Sequence, residues 1–307
     1  MTQSCAFVFP GQGSQTVGML GELAEHYPQV RETFNEASKV LGYDLWDVVQ
    51  NDSTGRLNQT EVTQPALLAA SVAIFRCLQD HVKPTYLAGH SLGEYSALVC
   101  AGALDFGDAI QLVELRGKAM QEAVPAGQGA MAAVIGLEDS AVVSACSEAA
   151  QTEIVAAVNF NSPGQVVIAG DKAAVERAGE LCKAAGAKRV LPLPVSVPSH
   201  CTLMAPAAEK LANALDNIEV QVPQIPVIHN VNVGIAATRE EIREALVAQL
   251  YSPVRWTETV NWIAEQGVVE HFEIGPGKVL TGLAKRIHGD VSCQAVNTSD
   301  TVKALIG

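Results

Sequence analysis

Short apolar runs bounded by Gly, Pro and Asn alternate along this chain with longer segments in which apolar residues recur every three or four positions. The first kind of run reads as a buried strand and the second as an amphipathic helix. Strands are expected at 5–10, 85–89, 225–230, 268–274 and 292–296. Helices are expected at 15–26, 31–41, 64–80, 92–101, 106–123, 239–251, 257–266 and 278–287. Alternation of this kind predicts an α/β fold with a mainly parallel sheet.

The middle of the chain has a different rhythm. After "VPAGQGA" come a strand "MAAVIGL", a helix "EDSAVVSACSEAA", and two strands "EIVAAVNF" and "QVVIAG" around the turn "NSPG". A helix "DKAAVERAGELCKAAGA" and a strand "KRVLPLPV" follow. The order β-α-β-β-α-β is that of a ferredoxin-like unit, and Asn-Ser-Pro-Gly between two β-rich runs favours a hairpin. The expected organisation is therefore a larger unit, 1–125 and 196–307, interrupted by a ferredoxin-like insertion, 126–195. A junction between two such units is a common place for a substrate site.

Composition narrows the classes of function. Of the 307 residues, 48% are hydrophobic and 17% charged, which suits a chain with a large core. The balance of 20 basic against 33 acidic residues gives a net charge of −13, a poor basis for binding nucleic acid or an anionic membrane. No run is expected to approach the length needed to span a bilayer, and the N-terminus is read as lacking the basic region of a secretory signal. The seven cysteines (Cys5, Cys77, Cys100, Cys146, Cys182, Cys201, Cys293) show no paired spacing. Free thiols in a reducing cytoplasm are expected, with neither a zinc site nor a disulfide framework, and no metal or redox cofactor is implied.

The segment "LAGHSLGEYSAL" (87–98) carries the sharpest chemical signal. It places Ser91 between Gly89 and Gly93, in the G-x-S-x-G pattern that follows a strand and opens a helix. At so sharp a turn side chains on the flanking glycines would collide with the strand or the helix, and the serine hydroxyl is left at a helix N-terminus, where negative charge is favoured. An ordinary strand-to-helix turn with an incidental serine is the alternative. A nucleophilic serine needs a base. His90 is adjacent but points away from its neighbour at a tight turn. His26 and His81 sit in polar helix ends, His229 and His271 on strand patterns, and His288 after a basic helix end. His200, in "LPVSVPSHCTLM", lies on a proline-stiffened loop at the return into the larger unit, and is the preferred candidate.

"FPGQGSQ" (9–15), "GHSLGEYSAL" (89–98), "LRGKAMQ" (115–121), "NFNSPGQVVIAG" (159–170), "VPSHCTLM" (197–204) and "EIGPGKVLTGL" (273–283) occur in this order over essentially the whole chain. Together they closely resemble the malonyl-CoA:acyl carrier protein transacylases, the free-standing acyltransferases of bacterial fatty-acid synthesis. The resemblance implies an α/β-hydrolase-like core with a mainly parallel sheet and an inserted ferredoxin-like subdomain. It further implies that Ser91 carries the acyl group and His200 moves the proton. The backbone N–H groups of Gln12 and Leu92 would then form the oxyanion hole. The glycines around Gln12 suit that job, since they let the backbone approach a ligand closely.

The same resemblance places the main-chain carbonyl of Gln249 behind the histidine, in place of an acidic third member. Asp171 or Glu273 as a carboxylate partner is the less favoured arrangement. Arg116 corresponds to the family's arginine for the free carboxylate of malonyl, which a guanidinium holds in a bidentate pair. Without the resemblance Arg116 reads as a solvated charge on a helix. Gln64, Asn161 and Gln165 correspond to polar positions lining the pocket. "GPGKV" lacks the full phosphate-loop spacing and reads as a turn after the last core strand.

The expected substrates are malonyl-CoA and the phosphopantetheine thiol of acyl carrier protein, with no resident cofactor. Because that carrier is itself acidic in this family, basic residues are needed near the site; Lys188, Arg189, Lys285 and Arg286 are the candidates, against the plainer reading of solvated surface pairs. A cytoplasmic monomer is expected. Two other functions stay open on the residues alone: a serine esterase or thioesterase, with water as acceptor, and a silent module that binds carrier protein.

Overall fold

The apolar strand runs lie at the centre of the molecule, covered on both faces. The computed structural model describes residues 4–195 and 197–307. In chain order β1 (Cys5–Phe9) leads into α1 (Gly21–His26), α2 (Pro28–Leu41), α3 (Leu45–Asn51) and α4 (Thr60–Leu78). There follow β2 (Tyr86–Gly89), α5 (Leu92–Cys100) and α6 (Phe106–Ala123). The middle of the chain builds β3 (Gly129–Ile135), α7 (Asp139–Ala150), β4 (Val155–Ser162), β5 (Gln165–Asp171), α8 (Lys172–Ala184) and β6 (Arg189–Pro192). A short 3-10 turn, Thr202–Met204, then opens the remainder. It holds α9 (Ala205–Leu215), β7 (Val227–Ile228), α10 (Arg239–Gln249), α11 (Trp256–Glu265), β8 (Glu270–Ile274), α12 (Val279–Ile287), β9 (Ser292–Val296) and α13 (Ser299–Ile306).

Five strands form a parallel sheet in the order β7-β2-β1-β8-β9, with Phe7 opposite Leu87 on one side and Phe272 on the other. Successive residues of β1 point to opposite faces. Phe7 and Phe9 join the cluster under α2, α4 and α6, while Ala6 and Val8 join the one under α11 and α12. Burial on both faces is why β1 reads as a continuous apolar run. The second sheet is antiparallel, in the order β4-β5-β3-β6, with its first and third strands adjacent at the centre. That is the ferredoxin-like arrangement expected from the sequence. Val134, Val166 and Ile168 are buried with residues of α7 and α8 in a cluster of their own.

Strand β4 ties the second sheet to the connection between α10 and α11 of the larger unit. Its ladder with β5 is irregular between Ala157 and Asn159 and again between Phe160 and Ser162. The main chain there turns to Val254 instead: Val254 N–H donates to Val158 O at 2.8 Å, and Phe160 N–H donates to Val254 O at 3.0 Å.

Several elements differ from the pattern-based expectation. The helix expected at 15–26 begins only at Gly21, because Gly18 and Leu20 adopt φ of 83° and 60°. Helices α3, α9 and α13 were not foreseen. The first is capped by the Asp44 side chain and the last by a Thr298–Thr301 capping box, local signals that fix a start without a long apolar period. β7 keeps two residues of the six expected, and His229 and Asn230 just beyond it serve the site. The expectation that no segment reaches bilayer length also needs correction. Helix α4, 19 residues, contains a stretch of mean hydropathy 1.2 that is long and apolar enough, but 89% of that stretch is buried in the protein core. The "GPGKV" segment is a turn after β8, as expected: Gly275 at φ 157° packs where a Cβ would lie 2.5 Å from Pro10. The Glu273 carboxylate accepts from Leu280 and Thr281 N–H at 3.0 and 2.7 Å and so caps α12.

Candidate active site

Strand β2 ends at Gly89 and α5 begins at Leu92, so the chain reverses from strand to helix across His90 and Ser91. Two clashes explain the glycines. A Cβ on Gly89 would lie 1.9 Å from the Gly93 carbonyl carbon, and one on Gly93 would lie 2.1 Å from Phe9 O. Ser91 itself is held at φ 52°, ψ −110°, outside the regions an L-residue prefers. Strain of this kind persists only where the surroundings enforce it. Asn230, just past β7 on the neighbouring strand, does so: its Oδ1 accepts from Ser91 N–H at 2.8 Å, and its Nδ2 donates to Gly89 O at 2.7 Å.

The loop after residue 197 brings His200 to this elbow. Ser91 Oγ lies 2.8 Å from His200 Nε2. On the far side of the ring, Nδ1 lies 2.7 Å from the Gln249 carbonyl oxygen, an acceptor only. Nδ1 therefore carries the proton, and Nε2 presents its lone pair to the serine hydroxyl. His200 also has a positive φ, 66°, and its N–H donates to Leu250 O at 3.0 Å, so the same helix end fixes both backbone and ring. Burial, reinforced by the positive charge of Arg116, pushes the His200 imidazole down to about 3. The ring is a neutral proton acceptor over the whole physiological range.

Arg116, expected on sequence grounds alone to be solvated, is fully buried. It projects from α6 towards the elbow. The next residue, Gly117, lets α6 approach α4, because a Cβ there would lie 2.6 Å from Glu61 Cα. This closeness brings Arg116 Nη1 to Gln64 Oε1 at 2.8 Å. Nη2 donates to Gln249 Oε1 at 2.9 Å and to Ser91 Oγ at 3.2 Å. The guanidinium carbon stands 5.3 Å from the centre of the Tyr95 ring. A cation thus lies one hydrogen bond from the hydroxyl, held among the described residues only by uncharged oxygens.

Ser91, His200, Arg116, Gln64 and Gln249 are joined by direct hydrogen bonds, and Leu92 opens α5 beside them with its N–H in the unpaired first turn of the helix. Gln12 lies in the loop that abuts the elbow, where a Cβ on Gly11 would come within 2.6 Å of His90 O. Asn161 is one step removed, with Oδ1 2.8 Å from His90 Nε2. Gln165 is not brought to the serine by any hydrogen bond; its Oε1 accepts from Arg286 Nη1 at 3.1 Å. Asp171 and Glu273 are committed elsewhere, to Ile154 N–H and to the start of α12.

Sequence reasoning missed Glu94, Asn230 and the side-chain role of Gln249, and it placed His229 only as a core or edge histidine. Glu94 is fully buried and accepts from His229 Nδ1 at 2.7 Å, Asn230 N–H at 2.9 Å and Gln249 Nε2 at 2.9 Å. One signal was present: Glu94 is the single charged residue in the otherwise uncharged α5, "LGEYSALVC". A large groove of about 1120 Å³ lies elsewhere, between α8 and the β3–β6 side of the second sheet, and none of these residues lines it.

A strained serine at a helix start, a neutral histidine and an oriented cation suit covalent acyl chemistry on an acyl group that carries a negative charge. Comparison with known proteins agrees. The family described as acyl transferase domain matches residues 6–298. The malonyl CoA-acyl carrier protein transacylase of Haemophilus influenzae is 64% identical over 95% of each chain, and that of Escherichia coli is 60% identical over 100% of this chain and 99% of its own. Among solved structures, a malonyl-transacylase in complex with its type II PKS acyl-carrier protein superposes with a TM-score of 0.98 at 62% identity over 99% of both chains. An acyl carrier protein S-malonyltransferase from Vibrio cholerae gives 0.97 at 63% identity, covering 98% of this chain and 99% of its own. The chain belongs to the acyl transferase domain family, in the branch of the malonyl CoA-acyl carrier protein transacylases.

Proposed function

We propose that this protein transfers a malonyl group from coenzyme A to the phosphopantetheine thiol of acyl carrier protein, by way of an ester on Ser91, to supply fatty-acid synthesis in the cytoplasm. The observation that carries the reading is the buried Arg116 guanidinium, its Nη2 3.2 Å from Ser91 Oγ and, among the described residues, held only by neutral acceptors. An incoming carboxylate on the acyl group supplies the charge that this cation lacks.

Ser91 Oγ attacks the thioester carbonyl as His200 Nε2 takes the hydroxyl proton. The tetrahedral carbon carries an oxyanion, which Leu92 N–H and Gln12 N–H receive; Ser91 N–H is already engaged by Asn230. Collapse breaks the carbon–sulfur bond, and His200 returns the proton to the departing thiolate of coenzyme A. The carrier's phosphopantetheine thiol then attacks the ester by the same steps in reverse, with proton and leaving group exchanged. Gln249 O keeps the imidazole in the tautomer that both halves need. Arg116 holds the malonyl carboxylate, Gln64 steadies the guanidinium, and Asn161 steadies His90 beneath the acyl group. Gln165 acts at the rim, through Arg286. Coenzyme A enters as a substrate, and the reading requires no resident cofactor.

The carrier protein docks, in this reading, on exposed Lys188, Arg189, Lys285 and Arg286. Arg189 and Gln165 both stand opposite Ile135 in the second sheet, and Arg286 reaches Gln165 from the end of α12. The Lys188 stem lies over Gly136, in the same corner. Positive charge gathered at one edge of an otherwise acidic protein supports a docking place for an acidic partner.

The test is incubation with radiolabelled malonyl-CoA without acceptor, followed by mapping of the labelled peptide. Stable label on the peptide that holds Ser91, discharged by carrier protein, is the expected result. Label on another peptide overturns the mechanism, and rapid loss of label to water identifies a hydrolase.

A further inference from the structure

Arg116 poses an electrostatic problem. A fully buried cation is costly unless it is compensated. Yet its Nη atoms bond only two amide oxygens and a hydroxyl, and among the described residues it has no carboxylate partner. The nearest counter-charge stands one residue further away.

Glu94 is fully buried in the first turn of α5, three residues beyond Ser91. Its carboxylate bonds none of Ser91, His200 and Arg116 directly. It gathers His229 Nδ1, Asn230 N–H and Gln249 Nε2, all within 2.9 Å. Two of those partners hold the centre. Asn230 fixes the elbow on both sides, through Ser91 N–H and Gly89 O. Gln249 accepts from Arg116 through Oε1 and donates through Nε2 to Ser91 O at 3.0 Å as well as to Glu94.

The Gln249 amide has one accepting and one donating end. A guanidinium only donates and a carboxylate only accepts. With Arg116 at one end and Glu94 at the other, a single orientation satisfies both. The reversed amide would set N–H against N–H and oxygen against carboxylate.

We propose that Glu94 is a positioning residue for acyl selectivity: it locks the Gln249 amide and, through it, the guanidinium fork of Arg116, while standing far enough off to leave that fork open to the substrate's carboxylate. A glutamate paired directly with Arg116 would compete with the acyl group for the same nitrogens. This deepens the malonyl-transfer reading and rests on it.

Orientation and bare charge make opposite predictions, which permits a decisive test. If Glu94 acted only as a negative charge near Arg116, its removal would strengthen the attraction for malonyl. If it orients the relay, removal weakens malonyl binding. Glu94→Gln keeps the size but offers one acceptor to three donors; Glu94→Asp keeps the charge but shortens the reach. Steady-state transfer to carrier protein is measured with malonyl-CoA and acetyl-CoA, with Gln249→Ala and the double variant alongside, and melting temperatures record folding.

The expected result is a rise of about tenfold in malonyl-CoA KM for Glu94→Gln, the size of one misplaced charge-assisted hydrogen bond, with a smaller loss in kcat. The acetyl reaction loses less, and Glu94→Asp shifts in the same direction. Because Glu94 works through Gln249, adding Glu94→Gln to Gln249→Ala worsens malonyl KM by no more than about twofold. A malonyl KM that falls or stays the same, or losses that multiply in the double variant, overturns the proposal. Should Glu94→Gln melt below the assay temperature, Glu94→Asp carries the same comparison. Absence of malonyl transfer by the unaltered protein would instead overturn the transfer reading itself.

Discussion

Replacing Arg116 with alanine separates recognition of the acyl group from the chemistry of its transfer. In the resting site the change removes a buried cation, whose burial is costly, and leaves Gln64 Oε1 and Gln249 Oε1 without their donor. These effects oppose one another, so the melting temperature should move little. In the acylated site nothing opposes the loss: the malonyl carboxylate is left buried and unpaired. Truncating one partner of a buried charge pair costs about 2–5 kcal/mol, which corresponds to roughly 30-fold to several thousandfold in kcat/KM. An acetyl donor carries no carboxylate and should lose less than about tenfold, the part due to the contact with Ser91 Oγ. Arg116→Lys keeps the charge but not the fork, and should fall between the two. The assay is transfer to holo carrier protein from malonyl-CoA and acetyl-CoA in parallel, compared as a ratio of kcat/KM values. Equal losses with both donors would refute the argument, as would a malonyl loss below about fivefold.

The pH dependence follows from His200. Its imidazole is held down to about 3 by burial first and by Arg116 second, so the neutral, active form persists well below the ordinary histidine range. The acid limb of kcat/KM, which reports the free enzyme, should therefore lie far below pH 6, and the limb of kcat should lie higher, because a bound carboxylate neutralises Arg116. Stability carries the matching sign: the unfolded chain takes up a proton on this residue below about pH 6.5 and the folded one does not, so His200 lowers stability as pH falls from there towards 3. Gly93→Ala should overpack the elbow against Phe9 O, only 2.1 Å from the new Cβ, and lower stability by about 1–3 kcal/mol or more in thermal or urea melts. Charge reversal at Lys285 and Arg286 should raise the carrier-protein KM and weaken its salt dependence while changing the malonyl-CoA KM much less; an unaltered carrier-protein KM would exclude this corner as the docking place.

What could be read from the sequence was what a few adjacent residues determine. Gly89, Ser91 and Gly93 write strand, turn and helix into five positions, and the clashes around both glycines show why no other residue serves. The ferredoxin-like order of the second sheet followed from six elements met in sequence. Arg116 could not be placed by its own helix, since its burial depends on how closely Gly117 lets α6 approach α4. Glu94 and Asn230 were out of reach for a stronger reason. The bond between them joins positions 136 residues apart and exists only once β7 has paired with β2. Gln165 is a hairpin residue that the resemblance places in the pocket lining; the register of the second sheet sets it beside Arg286.

The pairing of β4 with Val254 bears on how this enzyme could be altered. Main-chain bonds that run from the second sheet to the segment between α10 and α11 act as rivets, so they oppose a hinge-like parting of the two units that would admit a bulkier cargo. A broader diet would have to come from trimming side chains around a fixed frame. Redesign for longer or branched acyl groups should therefore begin with the volume of the lining and leave the skeleton as it is.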